Sequence, residues 1–161
     1  MLRALATRYL ERTTNDGITA LRDTVGENVG SGPPDWRWNV RASYSRDAIN
    51  MALTARGISS GVYDNRFIEC TQFCPVSLRG AETTSNNHID GQVIFDASFN
   101  YKLATGGADT TLFLDVSNVL NSDPPVVGRT PGADGYFYSP ANFSMYDYLG
   151  RVYRAGIRVT F

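Results

Sequence analysis

Apolar and polar residues alternate along several stretches of this chain, most cleanly near its end. Between Arg151 and Phe161, the residues Tyr153, Ala155, Ile157, Val159 and Phe161 fall on one side of an extended strand, and Arg154, Gly156, Arg158 and Thr160 on the other. Successive strand side chains point to opposite faces, so this period of two predicts a β-strand. The pattern recurs upstream. Trp36, Trp38, Val40, Ala42 and Tyr44 oppose Arg37, Asn39, Arg41 and Ser43, and Ile49, Met51, Leu53 and Ala55 oppose Asn50, Thr54 and Arg56. Val93, Phe95, Ala97, Phe99, Tyr101 and Leu103 oppose Gln92, Asp96, Ser98, Asn100 and Lys102. In the next stretch Leu112, Leu114 and Val116 oppose Asp115 and Ser117, with Phe113 as an exception. A first segment, Leu2 to Arg12, admits two faces, Leu5, Thr7 and Tyr9 or Ala4, Ala6 and Leu10; the set with Tyr9 is preferred.

These readings give strand candidates at Leu2 to Arg12, Trp36 to Tyr44, Ala48 to Gly57, Gln92 to Leu103, Thr110 to Leu120 and Arg151 to Phe161. Each has about nine to twelve residues, which at a tilt near 40° spans about 25 Å, the height of an outer-membrane apolar band. The connections alternate between short and long. Ser45-Arg46-Asp47 and Ala104 to Asp109, with Gly106-Gly107, read as tight turns. Residues 13–35, 58–91 and 121–150 read as long structureless loops. Soluble domains rarely carry several such loops, whereas outer-membrane barrels have short periplasmic turns and long extracellular loops. The expected fold is therefore all-β, an antiparallel meander of about six strands in a transmembrane β-barrel, with Phe161 at the periplasmic end. Tyr44, Tyr101 and Phe161 near the turn ends, and Trp36, Trp38 and Tyr153 near the loop ends, would form two aromatic girdles. The competing reading, an ordinary β-sandwich core, lacks a second apolar layer.

Composition narrows the classes. With 161 residues and a net charge of −1, the chain offers no electrostatic case for nucleic acid. No apolar run approaches the ~20 residues of a transmembrane helix, so a membrane role must use strands; a mean hydropathy of −0.25 is compatible with that, because only every second strand residue faces lipid. Met1 to Arg8 lacks the apolar core of a signal peptide and reads as strand without a preceding turn or cap. The chain is thus expected to be the C-terminal part of something longer.

One resemblance sharpens the picture. The segment Leu112-Phe113-Leu114-Asp115-Val116-Ser117-Asn118-Val119-Leu120-Asn121-Ser122-Asp123-Pro124-Pro125, then Tyr148-Leu149-Gly150-Arg151-Val152-Tyr153 and the strand ending in Phe161, resembles the C-terminal region of TonB-dependent outer-membrane receptors. Pro34-Asp35-Trp36-Arg37-Trp38-Asn39 is similar to a strand that family places a few hairpins earlier. The final strand also resembles the signal read by the barrel assembly machinery, carried here by Arg154, Gly156, Val159 and Phe161. The resemblance implies a 22-stranded transmembrane β-barrel with long extracellular loops, about 22 strands being the size of the plugged outer-membrane transporters. It implies an N-terminal plug, energisation through the TonB complex, and import of scarce bulky ligands of siderophore, cobalamin or oligosaccharide type. The plug, TonB box and signal peptide are not in this chain, so transport is expected only of a full-length parent in the bacterial outer membrane. Its partners would be outer-membrane lipid, the assembly machinery, the remainder of the receptor and, through the parent, TonB.

Other chemistry is thin. Cys70 and Cys74 with His88, the single histidine, are too few for a closed metal site, and a loop disulfide suits an oxidising cell surface. His88 lies in the polar stretch Ser85-Asn86-Asn87-His88, and no Ser-His-Asp set is assignable, so neither an enzyme nor a cofactor is expected. Asn142-Phe143-Ser144 reads as a chance glycosylation match. In the last loop Tyr136, Phe137, Tyr138, Phe143, Tyr146 and Tyr148 could contact a ligand or pack the loop. Arg56, Arg151 and Arg154 could attract an anion or pair with Asp96 and Asp115, pairing being preferred. The alternative to a receptor fragment is a small self-contained barrel that binds an apolar ligand or anchors at a surface.

Overall fold

The computed structural model describes residues 1–15, 17–18, 20–29, 32–105, 107–127, 142 and 144–160. Among these the chain is all-β without a helix, and its strands are β1 Leu2–Arg8, β2 Trp36–Arg46, β3 Ile49–Ile58, β4 Gly61–Val62, β5 Ile68–Glu69, β6 Thr83–Thr84, β7 His88–Ile89, β8 Gln92–Thr105, β9 Ala108–Ser117 and β10 Val152–Thr160. Six of them form one antiparallel sheet in the order β1-β2-β3-β8-β9-β10. Each long strand thus pairs with the next long strand in the chain. The sheet is open, with β1 and β10 as its edges, and it does not close into a ring.

The register carries one face across all six strands. Tyr44, Ala42, Val40 and Trp38 stand opposite Met51, Leu53, Ala55 and Gly57, which stand opposite Phe99, Ala97, Phe95 and Val93. Phe99, Ala97 and Tyr101 meet Leu114, Val116 and Leu112, and these meet Ala155, Tyr153 and Ile157. Directly opposed residues share a face, so the alternation in each strand sums to one continuous apolar surface. Nothing among the described residues covers it: Leu53 at its centre is 49% exposed, and Trp36, Tyr44, Met51, Phe99, Leu114, Tyr153 and Ile157 are also exposed. Strand spacing and height make its footprint roughly 600 Å², more than soluble monomers usually leave bare. The buried residues are instead largely polar, including Glu27, Asn28, Asp64, Asn87, Gln92 and Asn118, with Ile89, Ile94 and Tyr146 as their apolar company.

Four expectations need correction. In the first strand Ala4 pairs with Val40 and Ala6 with Trp38, so Ala4 and Ala6 join the apolar face, while Leu5 and Thr7 turn to the polar one; the face assigned to Leu5, Thr7 and Tyr9 is reversed. That strand ends at Arg8, short of Arg12. The stretch read as Thr110 to Leu120 begins at Ala108 and stops at Ser117, because Asn118 takes φ 51°, a left-handed conformation that cannot continue a strand. The loop 58–91 is not structureless. It holds the antiparallel pair β4–β7 and the parallel pair β5–β6, built from strands of two residues each, too short to register as a period in the sequence.

Two glycines explain two aromatics. Trp38 stands opposite Gly57, where a Cβ would lie 2.5 Å from the indole ring. Phe113, the exception in its strand, stands on the polar face opposite Gly156, where a Cβ would lie 2.7 Å from its ring. Each ring occupies the space the missing side chain leaves, a cross-strand packing that offsets the cost of glycine in a sheet.

Candidate functional site

At the turn end the connections are short: Asp47, at φ 50°, and Ala48 join β2 to β3, and Gly107, at φ 105°, lies between β8 and β9. The long loops leave the other end, where their described residues fold over the polar face and over one another. This loop end holds nearly every buried polar group, so it is the candidate site.

The loops are joined mainly by hydrogen bonds. Asn28, fully buried, donates through Nδ2 to the Ser59 carbonyl at 3.1 Å and to the Tyr146 hydroxyl at 2.9 Å, and that hydroxyl donates to the Asp90 carbonyl at 3.0 Å. Asn142 Nδ2 donates to the Asn28 carbonyl at 2.9 Å. Gln92 and the backbone of Asp147 exchange two hydrogen bonds, at 3.1 and 3.0 Å. Asn142, Tyr146 and Asp147 are thereby fastened to the loops that precede β2 and β8. A deep apolar core cannot form between such short polar segments, so hydrogen-bonded amides hold them instead, although the buried Asn28 Oδ1 has no partner among the described residues.

A charged cluster stabilises the same cap. Asp64, almost fully buried, accepts from Arg22 Nη2 at 2.9 Å, from Arg66 Nη2 at 3.1 Å and from the Arg66 backbone at 2.9 Å. Arg22 also binds the buried Glu27, which accepts the Asn65 amide at 3.0 Å. Burial pushes the Asp64 carboxyl up, but the Arg66 hydrogen bonds and the Arg22 charge outweigh it and hold the group below its ordinary value. Burial likewise pushes the Tyr146 phenol up.

On the polar face beneath, Arg56 reaches from β3 to Asp96 on β8 at 3.0 Å and up to Asp147 at 2.5 Å. Asp96 also accepts the Asn118 amide at 2.9 Å. Asn118 is 1% exposed; its side chain exchanges hydrogen bonds with Ser122 at 2.8 and 2.9 Å and donates to the Leu149 carbonyl at 3.2 Å. Asn121, also left-handed at φ 54°, accepts the Arg151 amide at 2.9 Å through its side chain, and a Cβ on Gly150 would lie 3.0 Å from that oxygen. The Asn118–Asn121 turn and the Gly150-Arg151 pair therefore touch, and together they bring β10 beside β9.

Of the residues singled out from the sequence, Arg56 and Asp96 are ion-paired. Arg154 stands in register with Asp115 but forms no ion pair within the described residues, and Arg151 donates to the Tyr153 hydroxyl at 3.3 Å, so the pairing expected of these two arginines is not the arrangement found. Tyr146 is 2% exposed and both its hydroxyl contacts are internal, which assigns its ring to packing of the cap. Tyr148 is exposed. Tyr136, Phe137, Tyr138, Phe143 and Phe161 lie outside the described residues. Gly156 and Val159 are on β10, on the polar and apolar faces respectively. Cys70 and Cys74 are disulfide-bonded, with their Cα atoms 5.6 Å apart. His88 is exposed with its Nε2 3.2 Å from Asp90, and no metal-ligating cluster occurs among the described residues. Sequence reading missed Asn28 and the cluster of Arg22, Glu27, Asp64 and Arg66, since loop amides and charges follow no period; Gln92, Asn142 and the two left-handed asparagines lay in segments already singled out, but not for these contacts.

Comparison with protein-family models, with curated proteins and with solved structures gave no match.

Proposed function

We propose that this chain is the C-terminal barrel portion of an active-transport receptor of the outer membrane, of the TonB-dependent type, importing a scarce bulky ligand in its full-length parent. The observation that carries the reading is the bare apolar face, continuous over six strands of membrane height, backed by a polar face rich in Arg, Asn and Ser. A sheet in water would cover such a face; hydrocarbon covers it without a second layer. The aromatic girdles support the reading, with Trp36, Trp38 and Tyr153 toward the loops and Tyr44 and Tyr101 toward the turns, as does the confinement of all long loops to one end. The free edges of β1 and β10 present unpaired backbone groups that the remaining strands of a barrel of about 22 would satisfy. A plug would then fill the polar lumen and couple the receptor to TonB.

Topology is the test. In the organism that makes the protein, a cysteine replacing Ser85 in the long loop should label on intact cells with a membrane-impermeant maleimide, and one replacing Asp47 only after the outer membrane is opened. Equal labelling of both, or recovery of the protein in the soluble fraction, overturns the membrane reading. Ligand uptake that persists without the TonB complex overturns the energised part of it.

A further inference from the structure

Where residues 144–147 fold over the polar face, they leave a cleft of about 460 Å³, large enough for a small organic molecule. Its apolar lining comes from Leu5, Ile58, Ile94 and Met145. Two arginines line it, the exposed Arg37 and the half-buried Arg56, and they differ in one respect. Arg56 is held by Asp96 and Asp147, so its charge is compensated. Arg37 forms no ion pair with a described residue; its register neighbours are Thr7 and Ile58, and neither can supply an anion.

The row below adds to the imbalance. Arg41 stands directly opposite Arg3 on the same face, and like charges at opposed positions of an antiparallel pair are destabilising. The carboxylate in that row is Asp96, two strands from Arg41, and its two oxygens already accept from Arg56 and from the Asn118 amide. Of these arginines only Arg37 lines the cleft; Arg3 and Arg41 stand further down the same face, and none of the three forms an ion pair with a described residue. These exposed arginines leave this flank positive, so an anion entering the cleft meets an unpaired guanidinium at Arg37.

We propose that this cleft binds a small amphipathic anion, its carboxylate on Arg37 with Arg41 and Arg3 adding long-range attraction, and its apolar body against Leu5, Ile58, Ile94 and Met145. The fork of a guanidinium matches a carboxylate in two parallel hydrogen bonds, and the apolar flank adds burial that a bare inorganic ion cannot use. The proposal rests on the transport reading only in placing the cleft on a ligand's path, because binding to the cleft stands whether or not import follows.

The test measures binding separately from transport. The purified chain in detergent micelles is dialysed to equilibrium against 2-naphthoate, against its neutral amide and against inorganic sulfate, with empty micelles as the blank. The expected result is saturable naphthoate binding, at least tenfold weaker binding of the amide, and weaker binding still of sulfate. Arg37→Gln should lower naphthoate affinity about tenfold, to the level of the amide, while Arg46→Gln, at the turn end and paired with Asp47, should leave it unchanged. Arg37→Lys should recover part of the loss. Equal binding of naphthoate and amide, or an Arg37→Gln variant that binds as well as the parent sequence, overturns the anion site; sulfate binding as tightly as naphthoate overturns its apolar half. Should Arg37→Gln not fold, the unmodified chain still decides the matter, because naphthoate binding that does not weaken with added salt excludes a charged contact. Failure here together with one-sided labelling of Ser85→Cys leaves the membrane reading intact, so the two proposals fail separately.

Discussion

Leu53→Arg separates a sheet that lives in lipid from one that lives in water. Leu53 lies near the middle of β3, on the bare apolar face, between Ala42 on β2 and Ala97 on β8. Those small neighbours leave room for a longer side chain, so steric conflict contributes little. In water a residue already 49% exposed tolerates such a change within about 0.5 kcal/mol. At the midplane of a bilayer an arginine on the lipid face of a barrel costs about 2–4 kcal/mol. The control is Ala52→Arg, one residue away on the polar face, in a row that continues through Ser98 to Asp115 and Arg154, where an added cation meets polar neighbours. Both variants are measured by urea unfolding of the protein folded into phospholipid vesicles, and by its abundance in the membrane fraction of the cell. The expected outcome is a loss of about 3 kcal/mol for Leu53→Arg, with lower abundance, and a change within about 0.5 kcal/mol for Ala52→Arg. Equal and small effects would mean that the apolar face does not meet lipid, and the argument from its exposure would fail.

Three further outcomes are expected. Asn118→Ala loses the side-chain bonds to Ser122 and Leu149 and places a Cβ residue at φ 51°, so it should destabilise by roughly 2–4 kcal/mol and speed amide exchange at Ser122; Asn118→Gly, free of the backbone penalty, should recover about 1 kcal/mol of that. Asp64 has a folded-state pKa below its ordinary 3.8, so the stability it contributes is fully present above that value and is lost as pH falls through the folded pKa; Asp64→Asn should flatten the acid limb of a stability-against-pH curve below about pH 4 and remove stability at neutral pH, and an unchanged acid limb would discard this assignment. Gly156→Val drives a side chain into the Phe113 ring and should destabilise by about 1–3 kcal/mol, most of which Phe113→Ala in the same chain should restore; additive losses in a double-mutant cycle would show that the two do not share that space.

The strands were legible because a period of two is a local property: Trp36 to Tyr44 or Val93 to Leu103 states which side chains share a face without reference to any partner. The short connections were legible in place but not in bounds: the turn read as Ser45-Arg46-Asp47 falls at Asp47 and Ala48, because Ser45 and Arg46 still pair with Asn50 and Ile49. Register was not. Leu2 to Arg8 alternates in either phase, and only the pairing of Ala4 with Val40 and Ala6 with Trp38 decided which phase joins the apolar face. Phe113 looked out of place until Gly156 was set opposite it. The cap was least legible of all. Asn28 meets Tyr146 across 118 positions and Arg22 meets Asp64 across 42, and contacts of that separation leave no spacing to read. The surplus charge on Arg37, Arg41 and Arg3 belongs to the same class. In sequence they are ordinary polar-face arginines of amphipathic strands; the strand pairing alone sets Arg3 beside Arg41 and commits Asp96 to Arg56. Local alternation therefore determined which residues share the apolar face and which the polar face, and long-range pairing, whose energy depends on residues far apart in the chain, decided which charges are compensated and which remain open.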